Sequence, residues 1–85
     1  MDGAKFHELL LGLANTDVKI INVEENNITE IKNITHWPKG LEELNLMGKG
    51  NTLADNKFDI SWISDVLVQC PSEQLKLKFN FIFRA

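Results

Sequence analysis

Apolar residues recur along this chain with two different periods. Phe6, Leu9, Leu10 and Leu13 are spaced i, i+3, i+4, i+7, the mark of one face of a helix. This predicts a helix from Gly3 to Ala14 with Asp2 as its N-cap. "NTD" breaks it, and Val18 to Glu24, rich in β-branched residues, reads as a strand that "EENN" turns outward. Ile31, Ile34 and Trp37 predict a helical turn over 30–37. Pro38 and Gly40 mark a boundary before a second strand, "LEELNLM", and "GKGNTLADNK" reads as a loop. Asp59 is a good N-cap for a helix whose stripe is Ile60, Ile63, Leu67 and Cys70, stopped by Pro71. "QLKLKFNFIFR" is the last strand. Alternating helices and strands predict an α/β fold with parallel strands backed by helices.

The stretch "VKIINVEENNITEI" fits neither period throughout. Val18, Ile21, Val23, Asn26 and Ile28 instead match the template L-x-x-L-x-L-x-x-N-x-L, with Ile31 and Ile34 extending it. A second copy runs through Leu41, Leu44 and Leu46 to Asn51 and Leu53, with two additional residues. A third has Leu75, Leu77, Asn80 and Ile82, with Ser72 at its first apolar place. "VLVQCPSEQLKL" resembles the helix-to-strand junction of the cysteine-containing type. On these residues the chain resembles the leucine-rich-repeat proteins, of ribonuclease-inhibitor-like or cysteine-containing type.

That resemblance implies a short solenoid of helix-strand repeats with a small parallel sheet. It divides a single domain, 1–85, into an N-terminal capping helix (1–17), repeat 1 (18–40), repeat 2 (41–71) and a partial repeat 3 (72–85). Template asparagines bond backbone groups where the chain leaves the sheet, which makes Asn26 structural. Because each unit leaves an apolar flank for a neighbour to bury, the ends need covering. The resemblance further implies a non-catalytic protein–protein interaction module that binds through the exposed face of its sheet. The positions on that face form rows: Asn22, Asn45 and Lys76; Glu24, Met47 and Lys78; Glu25, Gly48 and Phe79.

The last strand leaves an alternative open. Leu75, Leu77, Phe79, Phe81 and Phe83 alternate with polar residues, as in one long strand with one buried face. Paired antiparallel, it would make a compact α+β domain. The matching function is a small acidic regulatory or inhibitor protein, of phage or viral type, occupying a basic site on a target protein. The apolar end "FNFIFRA" also predicts self-association at a C-terminal strand edge.

Composition narrows the picture. A chain of 85 residues with 44% hydrophobic and 25% charged residues is one small globular domain. Its net charge of -3 is uneven: residues 1–43 hold eight acids and four bases, residues 44–85 four acids and five bases. No basic excess is present to drive nucleic-acid binding. No segment reads as a signal peptide or membrane span. Cys70 is the single cysteine, which rules out an internal disulfide and points to a cytoplasmic or nuclear setting. The sequons at Asn27 and Asn33 then read as accidents of composition.

Candidate chemistry is sparse. Cys70 ends an apolar helical stripe and reads as a buried small hydrophobe. His7 and His36 are far apart in sequence and lack the clustering a zinc site needs. "GKGNT" has glycines and a lysine, but Lys49 is followed by Gly50 where a phosphate loop needs Ser or Thr. No paired carboxylates, catalytic triad or nucleophile elbow is present, so no enzyme, cofactor or metal is expected. Trp37 and Trp62 are expected in the core or at its edge.

Overall fold

The computed structural model describes residues 1–31, 34, 36–48, 50–54 and 61–82, with backbone alone for 52–54, 61 and 80–82. Helix α1 spans Gly3–Leu13. The strands are β1 (Ile20–Asn22), β2 (Glu43–Leu46), β3 (Thr52–Ala54) and β4 (Lys76–Ile82), with helix α2 (Ser61–Gln69) between β3 and β4. The protein is therefore mixed α/β with a small parallel sheet.

Helix α1 begins where the sequence places it. Asp2 has extended backbone and its carboxylate accepts from the Lys5 amide at 3.0 Å, satisfying one of the donors that a helix start leaves open. Phe6 and Leu10 are fully buried and Leu9 and Leu13 partly so, whereas Leu11 faces outward. The segment before the helix also joins the fold: Asp2 forms a parallel bridge with Asn27, and the Asn27 amide donates to Met1 O at 2.7 Å.

The hydrogen-bonded order is β1-β2-β4-β3, and every pair is parallel. Ile21 aligns with Leu44 and Leu44 with Leu77; Asn22 aligns with Asn45 and Asn45 with Lys78; Leu46 aligns with Phe79. The antiparallel last strand of the alternative architecture is thus not what forms. Strand β3, inside the segment expected to be a loop, pairs with Asn80–Ile82. The expected self-association edge gains a partner over those residues, and 83–85 lie outside the described set.

Side-chain chemistry sets where the strands stop. Asn22 Oδ1 accepts from the Glu24 amide at 3.1 Å, and Asn45 Oδ1 accepts from the Met47 amide at 3.0 Å. Each asparagine takes an amide two residues on, the local bond with which this residue makes turns. In the third row Lys78 stands at that position and has no acceptor to offer. Consistent with this, β1 and β2 are three and four residues long and β4 is seven.

The core gathers Ile21, Val23, Ile28, Ile31, Ile34, Leu41, Leu44 and Leu46 with Phe6, Leu10, Trp37, Trp62, Val66 and Cys70. An aromatic series crosses it: Phe6 meets Trp37 edge-on at 6.5 Å, Trp37 lies 6.4 Å from Trp62, and Trp62 meets Phe79 edge-on at 5.3 Å. These separations lie in the range where aromatic pairs attract.

Two expectations need correcting here. The buried face of α2 is Trp62 and Val66, continued by Cys70 just beyond the helix, with Ile63 partly buried against the core, while Leu67 is 57% exposed; the aromatic series captures Trp62 and turns Leu67 outward. The helical turn expected over 30–37 is not seen at Glu30, Ile31, Ile34, His36 or Trp37, which lie in no helix. Its remaining residues, like Asp59 and Ile60, fall outside the described set.

Candidate functional site

The outward face of β1, β2 and β4 collects polar and charged side chains. Ile20 aligns with Glu43 and Glu43 with Lys76, one row from Asn22, Asn45 and Lys78. Because neighbouring residues of a strand point to opposite faces, burial of Ile21, Leu44 and Leu46 sends these two rows outward.

Six of the eight predicted site residues are exposed: Asn22, Glu24, Glu25, Met47, Lys76 and Lys78. Asn45 lies among them but is only 6% exposed, covered by Glu24, whose Oε1 accepts a short hydrogen bond from Asn45 Nδ2. Lys78 Nζ lies 3.6 Å from Glu43 Oε1. Glu25 has φ of 57°, a left-handed conformation uncommon for a residue with a side chain.

The third row is displaced by two residues from its expected place. Lys78, not Lys76, aligns with Asn45, and Phe79 aligns with Leu46 and faces inward against Trp62. Phe79 is therefore a half-buried core residue. A slip of two along an alternating strand keeps each side chain on its own face, so "LKLKFNF" alone does not distinguish the two registers. With that shift, Asn80 falls inside β4, paired with Thr52, and not in a turn after it.

Sequence reasoning missed Ile20, which is 61% exposed on this face. A β-branched residue at an outward strand position is the signal that was available. Ile20, Glu42, Glu43, Gln74 and Lys76 line a shallow hollow of about 170 Å³.

Two asparagines tie successive turns behind the face. Asn51 is fully buried; its Oδ1 accepts from the Ile28 amide at 3.0 Å, and its Nδ2 donates to Val23 O at 2.7 Å and Met47 O at 3.1 Å. Asn26 donates to Val23 O at 2.9 Å and Glu24 O at 3.1 Å, and accepts from the Met1 ammonium at 3.0 Å. "GKGNT" has a packing role at both glycines. A Cβ on Gly50 would lie 2.1 Å from Asn26 O, and one on Gly48, whose φ is 115°, would lie 2.7 Å from Glu25 N.

Cys70 is buried, its Sγ donates to Pro38 O at 3.0 Å, and burial pushes its thiol above the ordinary range. Trp37 is 1% exposed, its amide donates to Gln69 Oε1 at 2.8 Å, and its Nε1 has no hydrogen-bond partner. Among the described residues there is no group of three or more His, Cys, Asp or Glu able to hold a metal ion, and no helix is long and apolar enough to cross a membrane. No family model, curated protein or solved structure matches this chain.

Proposed function

We propose that this chain is a short leucine-rich-repeat module that binds a protein partner through the outward face of β1, β2 and β4, without catalysis of its own. The observation that carries the reading is Asn51. It is fully buried, it closes backbone groups of the preceding turn at Ile28 and Val23, and Asn26 occupies the corresponding place one turn earlier. A buried amide bonded across successive turns is the arrangement that stacking of repeated units requires. The alignment of Ile21 with Leu44, at matching positions of the first two copies, supports the same reading.

The face has the make-up of an interaction surface. Ile20 and Met47 are apolar and exposed, and they sit among Asn22, Glu24, Glu43, Lys76 and Lys78, side chains that supply orientation. Removing apolar area of this kind from water contributes about 25 cal/mol per Å².

Affinity capture from the source cells tests the reading, using the wild type and the double variant Ile20→Asp/Met47→Asp. A protein retained by the wild type and lost with the variant is the expected result. Equal retention by both, or no retained protein, overturns it. Loss on changing Glu24, Glu25, Glu42 and Glu43 to Gln, with the double variant still binding, would instead favour an acidic inhibitor.

A further inference from the structure

The hydrogen-bonded order begins at β1, so the outer edge of β1 faces no other strand among the described residues. The ladder with β2 fixes which groups that edge presents. Lys19 O accepts from the Glu43 amide at 3.0 Å, and the Val23 amide donates to Asn45 O at 3.0 Å. Odd-numbered residues along β1 therefore turn their backbone groups to β2, and in a parallel pair the residues between them turn theirs the opposite way. The N–H and C=O of Ile20 and of Asn22 lie along the outer edge. None of these groups has a hydrogen-bond partner among the described residues, and both residues are exposed.

Farther along, the same flank is closed. Glu24 N–H donates to Asn22 Oδ1, and Glu24 O accepts from Asn26 Nδ2. Beyond them the chain adds extended backbone of its own: Asp2 bridges Asn27 in parallel, and Met1 O accepts the Asn27 amide at 2.7 Å. The next amide, Ile28, turns the other way, to Asn51 on the β2 side. This flank thus already takes added backbone at one end and stands open at Ile20 and Asn22.

We infer that the outer edge of β1 takes up an extended segment of a partner protein, added as a further strand and carrying a lysine or arginine beside Ile20. The edge shares Ile20 with the outward face, but pairing there does not rest on the reading of that face. Alternating donors and acceptors at strand spacing are matched by another extended backbone. Charge supplies the rest. Residues 17–25 hold the acids Asp17, Glu24 and Glu25 against one base, Lys19. An outward side chain of the added strand neighbours Ile20, which is 61% exposed, and beyond Ile20 lies the hollow lined with Glu42, Glu43, Gln74 and Lys76. A basic side chain covers apolar surface with its stem and keeps its head wet. Glu43 is shared with Lys78, whereas Glu42 has no ion pair among the described residues, so a carboxylate is left for the incoming cation. A second copy fits less well: so short an edge strand resists pairing with its like, and β1 itself, Ile-Ile-Asn, brings no cation.

Panning a phage-displayed library of random linear peptides on the wild type supplies the probe, and the recovered peptides are then synthesised. They are expected to carry a basic residue. Bound, they should slow deuterium exchange at the Ile20 and Asn22 amides, which exchange fast in the free protein, while Ile21 and Val23 are protected in both states. N-methylating the peptide one residue at a time, with the protein unchanged, should weaken binding by about five- to tenfold at alternate residues only. Ile20→Pro removes one edge donor and spares the ladder with β2, since an edge strand tolerates proline; it should weaken binding likewise, with Ile21 protection reporting an intact fold. Glu42→Gln should weaken the basic peptides and leave their norleucine counterparts unchanged. Met47→Asp, on the outward face away from this edge, should leave peptide binding as it is, so failure here and failure of the outward-face reading are told apart. The inference is overturned if panning yields no binding peptide, or if N-methylation acts without alternation. Slow exchange at Ile20 and Asn22 in the free protein, or protection there that rises with the concentration of the chain alone, would overturn it as well.

Discussion

Asn26 and Asn51 donate to one carbonyl: the Nδ2 groups of both reach Val23 O, at 2.9 and 2.7 Å. Asn51 alone also closes the Ile28 amide. Asn51→Ala therefore leaves a buried amide without a partner, a loss of about 1–3 kcal/mol on top of the bonds removed. Asn26→Ala is expected to cost less, because its site is only part-buried. In either single variant Val23 O keeps one donor, and in the double variant it has none. The double variant should be destabilised by more than the sum of the singles, by about 0.5–1 kcal/mol. Urea midpoints at constant m-value measure this; strict additivity would mean the carbonyl is not shared in solution.

Glycine substitutions should split by position. Gly50→Ala drives a Cβ to 2.1 Å from Asn26 O, and backbone must move to admit it, at a cost of about 1–3 kcal/mol. In Gly12→Ala the new Cβ meets nothing within 4 Å on the exposed side of α1. Alanine is the better helix former, so this change should stabilise by about 0.5–1 kcal/mol. Thermal or urea unfolding of the two variants should give shifts of opposite sign.

What the sequence disclosed was local. The Asp2 cap, the face of α1, the first two strands and the structural role of Asn26 each follow from signals within a few residues of one another. The misread parts depend on contacts between distant segments. Strand β3 has little intrinsic tendency to extend and exists because β4 offers a backbone to pair with. The register of β4 is degenerate under a shift of two, and packing of Phe79 on Trp62 accompanies the register that forms. Of the candidate site, the outward positions of β1 and β2 followed from the repeat template. Lys76, Lys78 and Phe79 were assigned to the wrong rows for the same reason that β4 was.

The rotation of α2 gives a direct comparison between neighbours. Val66 is fully buried and Leu67 is 57% exposed. Val66→Ala removes two buried methyl groups and leaves a small void, for about 1–3 kcal/mol. Leu67→Ala should fall within about 0.5 kcal/mol of the wild type, although leucine is the larger residue. Chemical denaturation of the pair decides between the two helix faces, since the opposite ranking would restore the stripe through Leu67.

Cys70 makes stability depend on alkaline pH. Burial disfavours the thiolate, so the folded-state pKa lies above that of the unfolded chain, where a thiol titrates near about 8.5. The folded state therefore holds the proton more tightly. Its contribution is fully present below the unfolded pKa and is lost as pH rises through the folded one. The wild type should lose stability over that window by more than Cys70→Ala does, and the difference between their urea midpoints should narrow steadily from pH 7 to 10. Every other group is common to both proteins and cancels in the difference. Parallel curves would mean that the thiol is solvated in solution, as would rapid labelling of Cys70 by a thiol reagent under native conditions. With the thiol against Pro38 O at 3.0 Å, labelling should instead follow unfolding, accelerating with urea in step with the loss of structure.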